Sequence, residues 1–269
     1  MQNKTNQPFV ETKTAVISLA QKAAQAILSI YHSPQSVLQT KKADETPLTL
    51  ADMAAHKVIA KGLQVLTPQI SVVSEEDATS MALKSAKELF WLVDPLDGTK
   101  EFLARNEEFT VNIALIVEGE PVWGVVVAPA LAVTYWGGRS SGAFVDRGQG
   151  SMILPEAYPR EDGACMRVVV SKSHMNEATQ HFVETLGRHE LVQAGSSLKF
   201  CLLAEGRADL YPRLSPTKEW DTAAAQAILE GAGGEVRMLD GQPLRYGKPN
   251  FLNPSFVATA HHCPRDWLP

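Results

Sequence analysis

Cysteine is scarce in this chain: Cys165, Cys201 and Cys263 are the three in 269 residues, and their spacing fits neither a disulfide framework nor a CxxC zinc or redox pair. A reducing, cytoplasmic setting suits such usage. Positive charge is also short, with 25 Lys+Arg against 30 Asp+Glu and a formal net charge of −5. Phosphate-backbone binding rests on clustered Lys and Arg, so general nucleic-acid binding is not expected. A membrane-spanning run is missing as well. Pro121 to Gly138 is eighteen residues without a charge, but Gly124 and Pro129 interrupt it, and a spanning helix needs about 20 apolar residues. Its β-branched residues read as two buried strands joined at Ala128-Pro129-Ala130. The N-terminus, Met1 to Phe9, lacks the apolar core of a signal peptide. The expectation is a cytoplasmic protein without a transmembrane segment, peripheral association with the inner membrane being left open. Nothing in the residues fixes an oligomeric state.

The composition that is present, 45% hydrophobic and 20% charged, is that of an ordinary globular protein with one large α/β domain or two small ones sharing a core. Apolar residues at three- and four-residue spacings predict a helix over Glu11 to Tyr31 and another from Thr49–Asp52 to just before Pro68. From Ile70 the pattern changes to short β-rich runs at hairpin spacing: Ile70–Val73, Leu89–Val93, Thr110–Val117, Val122–Val127, Ala132–Trp136 and Gly142–Val145. These predict a largely antiparallel sheet. A polar stretch with Pro155, Pro159 and Gly163 places a boundary near residue 160. Beyond it strands near Arg167–Ser171, Glu190–Val192, Ala208–Tyr211, Glu235–Met238 and Phe256–Thr259 alternate with helices over Glu177–Leu186, Ser197–Glu205 and Trp220–Gly231. The expected fold class is α/β (α+β), a layered sandwich with a larger antiparallel part, 1–160, and a smaller α/β part, 161–269.

The segment Trp91-Leu-Val-Asp94-Pro95-Leu96-Asp97-Gly98-Thr99-Lys100-Glu101-Phe102 carries the most chemical information. An apolar strand runs into two carboxylates three residues apart, with Pro95 fixing the backbone between them and Gly98 permitting a tight turn. Asp94, Asp97 and the Leu96 carbonyl are the oxygen ligands a hard divalent cation takes, and the N–H groups of Gly98 and Thr99 suit a phosphate oxygen. Asp-Gly also builds plain Asx turns and helix caps. DPLDGT resembles the DPxDGT signature of the Mg²⁺-dependent, lithium-sensitive phosphatases of the inositol monophosphatase family, which includes fructose-1,6-bisphosphatase and 3′(2′),5′-bisphosphate nucleotidase. Other segments resemble that family in the same order. Val73-Ser74-Glu75-Glu76-Asp77 is similar to its G/S-E-E element, Thr49-Leu50-Ala51-Asp52 to T-x-A-D, and Glu219-Trp220-Asp221-Thr222-Ala223-Ala224 to W-D-x-A-A. By themselves these are an acidic loop and two helix caps.

The resemblance implies an α/β/α/β/α sandwich of the inositol-monophosphatase type. It implies that Glu75, Asp94, the Leu96 carbonyl, Asp97 and Asp221 hold two or three Mg²⁺ ions, with Asp94 bridging and Asp221 also capping its helix. Asp52 and Thr99 become the catalytic pair that orients and activates a metal-bound water, and no covalent phosphoenzyme is needed. Mg²⁺ would also invert the local charge of a site built from acids.

The downstream residues bear on the ester. Gly195-Ser196-Ser197-Leu198-Lys199 and Asp209-Leu210-Tyr211-Pro212-Arg213 resemble the G-S-x-x-K and D-x-Y-x-R elements of the bisphosphate nucleotidases, and Ser171-Lys172-Ser173-His174 resembles their S-x-S-H. Ser171, His174, Ser196, Lys199 and Arg213 are therefore the expected nucleotide contacts, in addition to Glu75, Leu96, Asp97, Gly98, Thr99 and Asp221. A hydroxyl, an ammonium and a guanidinium together make a strong phosphate receptor. Lys100-Glu101 stands where inositol monophosphatases show Thr-Asn. The function implied is hydrolysis of the 3′-phosphate of adenosine 3′,5′-bisphosphate to AMP and phosphate in sulfur metabolism, with the sulfated analogue as a further substrate. An inositol monophosphatase or other sugar phosphatase of the same fold is the alternative, and a non-catalytic phosphometabolite- or RNA-binding regulator is the second. His261-His262-Cys263 is read as structural, and Phe102, Tyr211 and Trp220 as packing that could also touch a base.

Overall fold

The computed structural model describes residues 7–33, 39–41, 47–80, 89–154, 165–172 and 175–263. Two helices, α1 (Gln7–Tyr31) and α2 (Leu50–Leu66), form the first layer. Each buries one stripe, Val16, Ala20, Ala23, Ala24 and Ile27 on α1 and Ala51, Ala55, Ile59 and Leu63 on α2, as three- and four-residue spacing requires. Between them β1 (Gln39–Lys41) and β2 (Pro47–Thr49) pair antiparallel. Strands of three residues are too short for alternation to show, and the sequence pattern gave no sign of them.

The second layer is a seven-stranded sheet in sequence order: β3 (Ser71–Ser74), β4 (Leu89–Asp97), β5 (Thr110–Val117), β6 (Glu120–Ala128), β7 (Val133–Gly138), β8 (Gly142–Asp146) and β9 (Ser151–Ile153). All neighbours are antiparallel except β3 and β4. A short helix, α3 (Thr99–Ala104), joins β4 to β5. The uncharged stretch from Pro121 is the β6–β7 hairpin, as expected. Both faces of the sheet are covered, which is why its central strands are almost wholly apolar. Trp91, Val93, Ile113 and Leu115 pack against the α1–α2 layer, while Phe90, Leu92, Ala114 and Ile116 face the centre of the molecule.

The remaining elements are β10 (Met166–Ser171), α4 (Glu177–Glu184), β11 (His189–Ala194), α5 (Leu198–Ala204), β12 (Leu210–Arg213), β13 (Thr217–Lys218), α6 (Ala223–Gly231), β14 (Glu235–Met238), β15 (Leu252–Asn253) and β16 (Phe256–Thr259). A second sheet has the order β11-β10-β12-β16-β14, parallel from β11 to β12 and antiparallel beyond. α5 and α6 share the core between the two sheets, and Val183 of α4 packs with Val168, Val170, Leu210 and Val257 on the outer face. The layers therefore run α/β/α/β/α. The boundary expected near residue 160 falls within 155–164, outside the described residues.

α6 lies unusually close to the first sheet. Its alanines 223, 224, 225 and 227 are buried, and a Cβ at Gly124 of β6 would collide with the Ala224 carbonyl and lie 2.7 Å from its Cα. Small residues on both sides bring the start of α6, and Asp221 just before it, up to the end of β4.

Candidate active site and metal centre

The end of β4 is irregular where the chemistry concentrates. Asp94 pairs with Asn112 and Asp97 with Thr110, so three steps along β4 match two along β5. In an uninterrupted strand, residues three apart point to opposite faces. The extra residue of this bulge at Pro95-Leu96 brings both carboxylates to one face. The Leu96 N–H donates to Asp94 Oδ1 at 3.0 Å and closes the turn. Gly98 follows at φ 87° as the N-cap of α3, and a Cβ there would strike Ser196 Oγ.

Asp221 arrives from the other half of the chain. Asp94, Asp97 and Asp221 each bring a carboxylate oxygen within 4.8 Å of the others. One expectation needs correction: Asp221 does not cap α6. Its Oδ2 accepts from Thr217 Oγ1 at 2.5 Å and Lys218 N–H at 2.9 Å, so the residue is folded back onto β13, and α6 starts at Ala223, three residues later than the predicted Trp220. Burial, joined by the Asp221 charge, pushes the Asp97 carboxyl up to about 7. Burial also raises Asp221, against its bonds from Thr217 and Lys218.

These residues fit a divalent cation. Ser197 reaches Asp97 through Oδ2, and Thr217 and Lys218 reach Asp221 through Oδ2; among the described residues Oδ1 of each accepts no hydrogen bond. Clustered like charges with oxygens free of hydrogen bonds are stabilised by a cation between them and otherwise take up protons. Glu75 lines the same cavity, its N–H donating to the Val93 carbonyl at 3.1 Å, but it stands outside the close set of three. Leu96 also lines the cavity.

Asp52 both caps α2 and faces Thr99. Its Oδ2 accepts from the Thr49 N–H at 2.7 Å and the Thr49 hydroxyl at 2.5 Å, the reciprocal cap of α2. Its Oδ1 faces Thr99, whose hydroxyl donates across 3.4 Å.

The same cavity, about 710 Å³, is also lined by Ser171, Ser196, Lys199, Tyr211 and Arg213. Lys199 is buried, donates from Nζ to the Ser196 carbonyl at 2.5 Å and lies 5.6 Å from the Tyr211 ring centroid. Burial lowers its pKa to about 8 although Asp97 opposes the shift. Arg213 donates from a terminal nitrogen to the Pro216 carbonyl at 3.0 Å. The Ser196 hydroxyl lies 2.9 Å from the Asp97 carbonyl and 2.7 Å from that of Glu108, so its proton ties two loops together. His174 lies outside the described residues. Asp209 turns away from the cavity: Arg167 N–H and NH2 donate to it at 2.6 and 2.7 Å, and His262 Nε2 lies 2.8 Å away. That contact gives His262 the structural place expected of it. Phe102 packs with Tyr31 and Phe109, while Trp220 and Tyr211 reach the cavity wall.

Four further residues shape the site without having been singled out by the sequence. Thr217 holds Asp221. Glu219, fully buried, accepts from the N–H groups of Gly247 and Lys248 at 2.7 and 2.9 Å and from Lys248 Nζ at 2.6 Å, fixing the loop before Asp221. Ser197 donates to Asp97, and Asn112 donates to Ser197. The partners of Glu219 are nearly thirty residues away, and nothing local marks it.

Fold and site together define a class: the inositol monophosphatase family model matches residues 10–265, and the chain belongs to that family. The chain is similar to the 3′(2′),5′-bisphosphate nucleotidase CysQ of Salmonella typhimurium, 45% identical over 248 residues that make up 91% of this chain and 98% of that one. It is also 45% identical to CysQ of Escherichia coli K12 over 90% of this chain and 96% of the relative. The crystal structure of CysQ from Bacteroides thetaiotaomicron superimposes with a TM-score of 0.82 at 41% identity, covering 93% and 97% of the two chains. Among the described residues no helix is long and apolar enough to cross a membrane.

Proposed function

We propose that the protein hydrolyses the 3′-phosphate of adenosine 3′,5′-bisphosphate in a Mg²⁺-dependent reaction, giving AMP and phosphate. The observation that carries the reading is a single cavity lined both by the clustered carboxylates and by two cations, Lys199 and Arg213. A substrate with two phosphates supplies one for the carboxylate-bound cation and one for the Lys199–Arg213 pair. Inositol 1-phosphate, with one, would leave Lys199 and Arg213 without an anion. The relatives named 3′(2′),5′-bisphosphate nucleotidase support the same choice.

Asp94, Asp97 and Asp221, with Glu75 and the Leu96 carbonyl, would hold the metal. Bound there, Mg²⁺ supplies positive charge to the phosphoryl oxygens and lowers the pKa of water. Thr99 commits its proton to Asp52 Oδ1, which leaves the lone pairs of Oγ1 to accept a hydrogen bond from the attacking water. Asp52 keeps that hydroxyl oriented because its other oxygen is fixed by Thr49. Lys199 and Arg213 bind the second phosphate and so place the 3′-ester against the carboxylate cluster.

Phosphate release from adenosine 3′,5′-bisphosphate, its sulfated analogue and inositol 1-phosphate, each with Mg²⁺ and with EDTA, tests this reading. The expected result is metal-dependent turnover highest on the bisphosphate. Faster turnover of inositol 1-phosphate would overturn the substrate, and no metal-dependent release from any ester would overturn catalysis.

A further inference from the structure

Ser197 is the N-cap of α5, where a serine hydroxyl ordinarily accepts a hydrogen bond from a backbone N–H two or three residues on. It makes no such bond. The side chain is buried instead among groups from three other segments. Asn112 Nδ2 on β5 donates to Ser197 Oγ at 2.8 Å, Asp97 Oδ2 at the end of β4 lies 3.0 Å away, and the Asp221 main-chain carbonyl before α6 lies 2.8 Å away. A hydroxyl has one proton to donate. With Asn112 donating inward, that proton is directed to the two acceptors, both of which belong to residues of the carboxylate cluster.

Asn112 is itself chosen for this geometry. It pairs with Asp94 in the β4–β5 register and is buried, and among the described residues its Oδ1 has no hydrogen-bond partner. An apolar side chain would spare the fold that unsatisfied oxygen, so the position uses the amide for its Nδ2. The bulge in β4 sets Asp94 and Asp97 on one face, Asn112 lies beside them on β5, and α5 lowers Ser197 onto the pair from the layer above.

We propose that Ser197, aimed by Asn112, is a positioning residue for the metal centre. It holds Asp97 by Oδ2 so that Oδ1 is presented to the cation, and it holds the Asp221 backbone at the matching distance. The inference rests on reading the carboxylate cluster as a divalent-cation site. Removing an outer partner of a ligating group costs about 10–100-fold in metal affinity or activity, whereas a bond that only ties layers together would change the melting temperature and leave metal affinity alone.

The test is direct titration of the full-length, substrate-free protein with Mn²⁺, free ion being followed by electron paramagnetic resonance, for the wild type, Ser197→Ala and Asn112→Ser. Melting of the metal-free proteins is measured alongside. Ser197→Ala is expected to bind Mn²⁺ about tenfold or more weakly, and Asn112→Ser, which keeps the hydroxyl but loses its aim, about threefold or more weakly. Wild-type affinity in folded Ser197→Ala would overturn the proposal. Should that variant fail to fold, wild-type affinity in Asn112→Ser would overturn it equally. A wild type that binds no Mn²⁺ removes the metal site and this proposal with it; a wild type that binds while both variants match it removes only the role of Ser197.

Discussion

Lys199 carries the proposed choice between one phosphate and two. It is a buried ammonium held by a carbonyl and a tyrosine ring, and burial has already drawn its pKa down to about 8. Among the described residues no carboxylate is bonded to its nitrogen, so its charge is one that a ligand anion can satisfy. Hydrogen bonds to charged groups contribute about 1.5–3 kcal/mol, so Lys199→Ala should raise KM for adenosine 3′,5′-bisphosphate by about 10–100-fold and leave KM for a simple monophosphate almost unchanged. Steady-state kinetics on both substrates decide it: equal effects would remove Lys199 from the second-phosphate site. At this scale the sequence was informative wherever a residue belongs to a contiguous motif. Asp94, Asp97, Lys199 and Arg213 could be named from their neighbours, and the structure brings all four to one cavity. Ser196 could be named too, but its hydroxyl is taken up by two carbonyls. Ser197, one residue on, faces Asp97 because of where α5 sits, which no local pattern contains.

At the scale of elements, the spacing of Asp94 and Asp97 acquires its meaning from the β4 bulge. Two acids three apart on a regular strand would face opposite layers, and one extra residue turns them into a pair. Pro95 and Gly98 hinted at a break in the strand, but the register with β5 is what shows its size. The approach of α6 is a second element-scale fact. Gly124→Ala should place a methyl group against the Ala224 backbone. Overpacking of this kind costs about 1–3 kcal/mol, or roughly 2–12 °C in melting temperature for a chain of this size. Because Asp221 precedes α6, the variant should also need more Mg²⁺ for half-maximal activity. Thermal melts and a Mg²⁺ titration check both effects, and a normal melting temperature would mean that α6 yields without cost.

For the whole molecule, the cost of gathering acids inside the fold sets a pH dependence. Asp97, raised to about 7 by burial and by Asp221, holds a proton in the metal-free native state that the unfolded chain has already released above about pH 4. Stability of the metal-free protein should therefore fall as pH rises through that window, while a divalent cation, which displaces the proton, binds more tightly. The rise in melting temperature on adding a fixed concentration of Mg²⁺ should be larger at about pH 8 than at about pH 5.5. Equal rises at the two values would show that Asp97 is not protonated in the metal-free state.

The net charge of −5 and the few clustered cations already argued against a nucleic-acid surface. The apolar periods gave the longer helices and most of the sheet strands of both halves, because burial on one stripe or on both faces leaves its mark on consecutive residues, whereas the shortest elements such as β1, β2 and α3 carry no such mark. The motifs gave the acids, because turn geometry and ligand chemistry are local. Which acids meet was decided only by tertiary structure. Asp97 and Asp221 are 124 residues apart in sequence, and they converge because small residues let α6 settle against β6, because Glu219 and Thr217 fix the approach to Asp221, and because Ser197 spans the gap. Packing distance and long-range hydrogen bonding are properties of the assembled layers, and a linear pattern of residue types does not contain them.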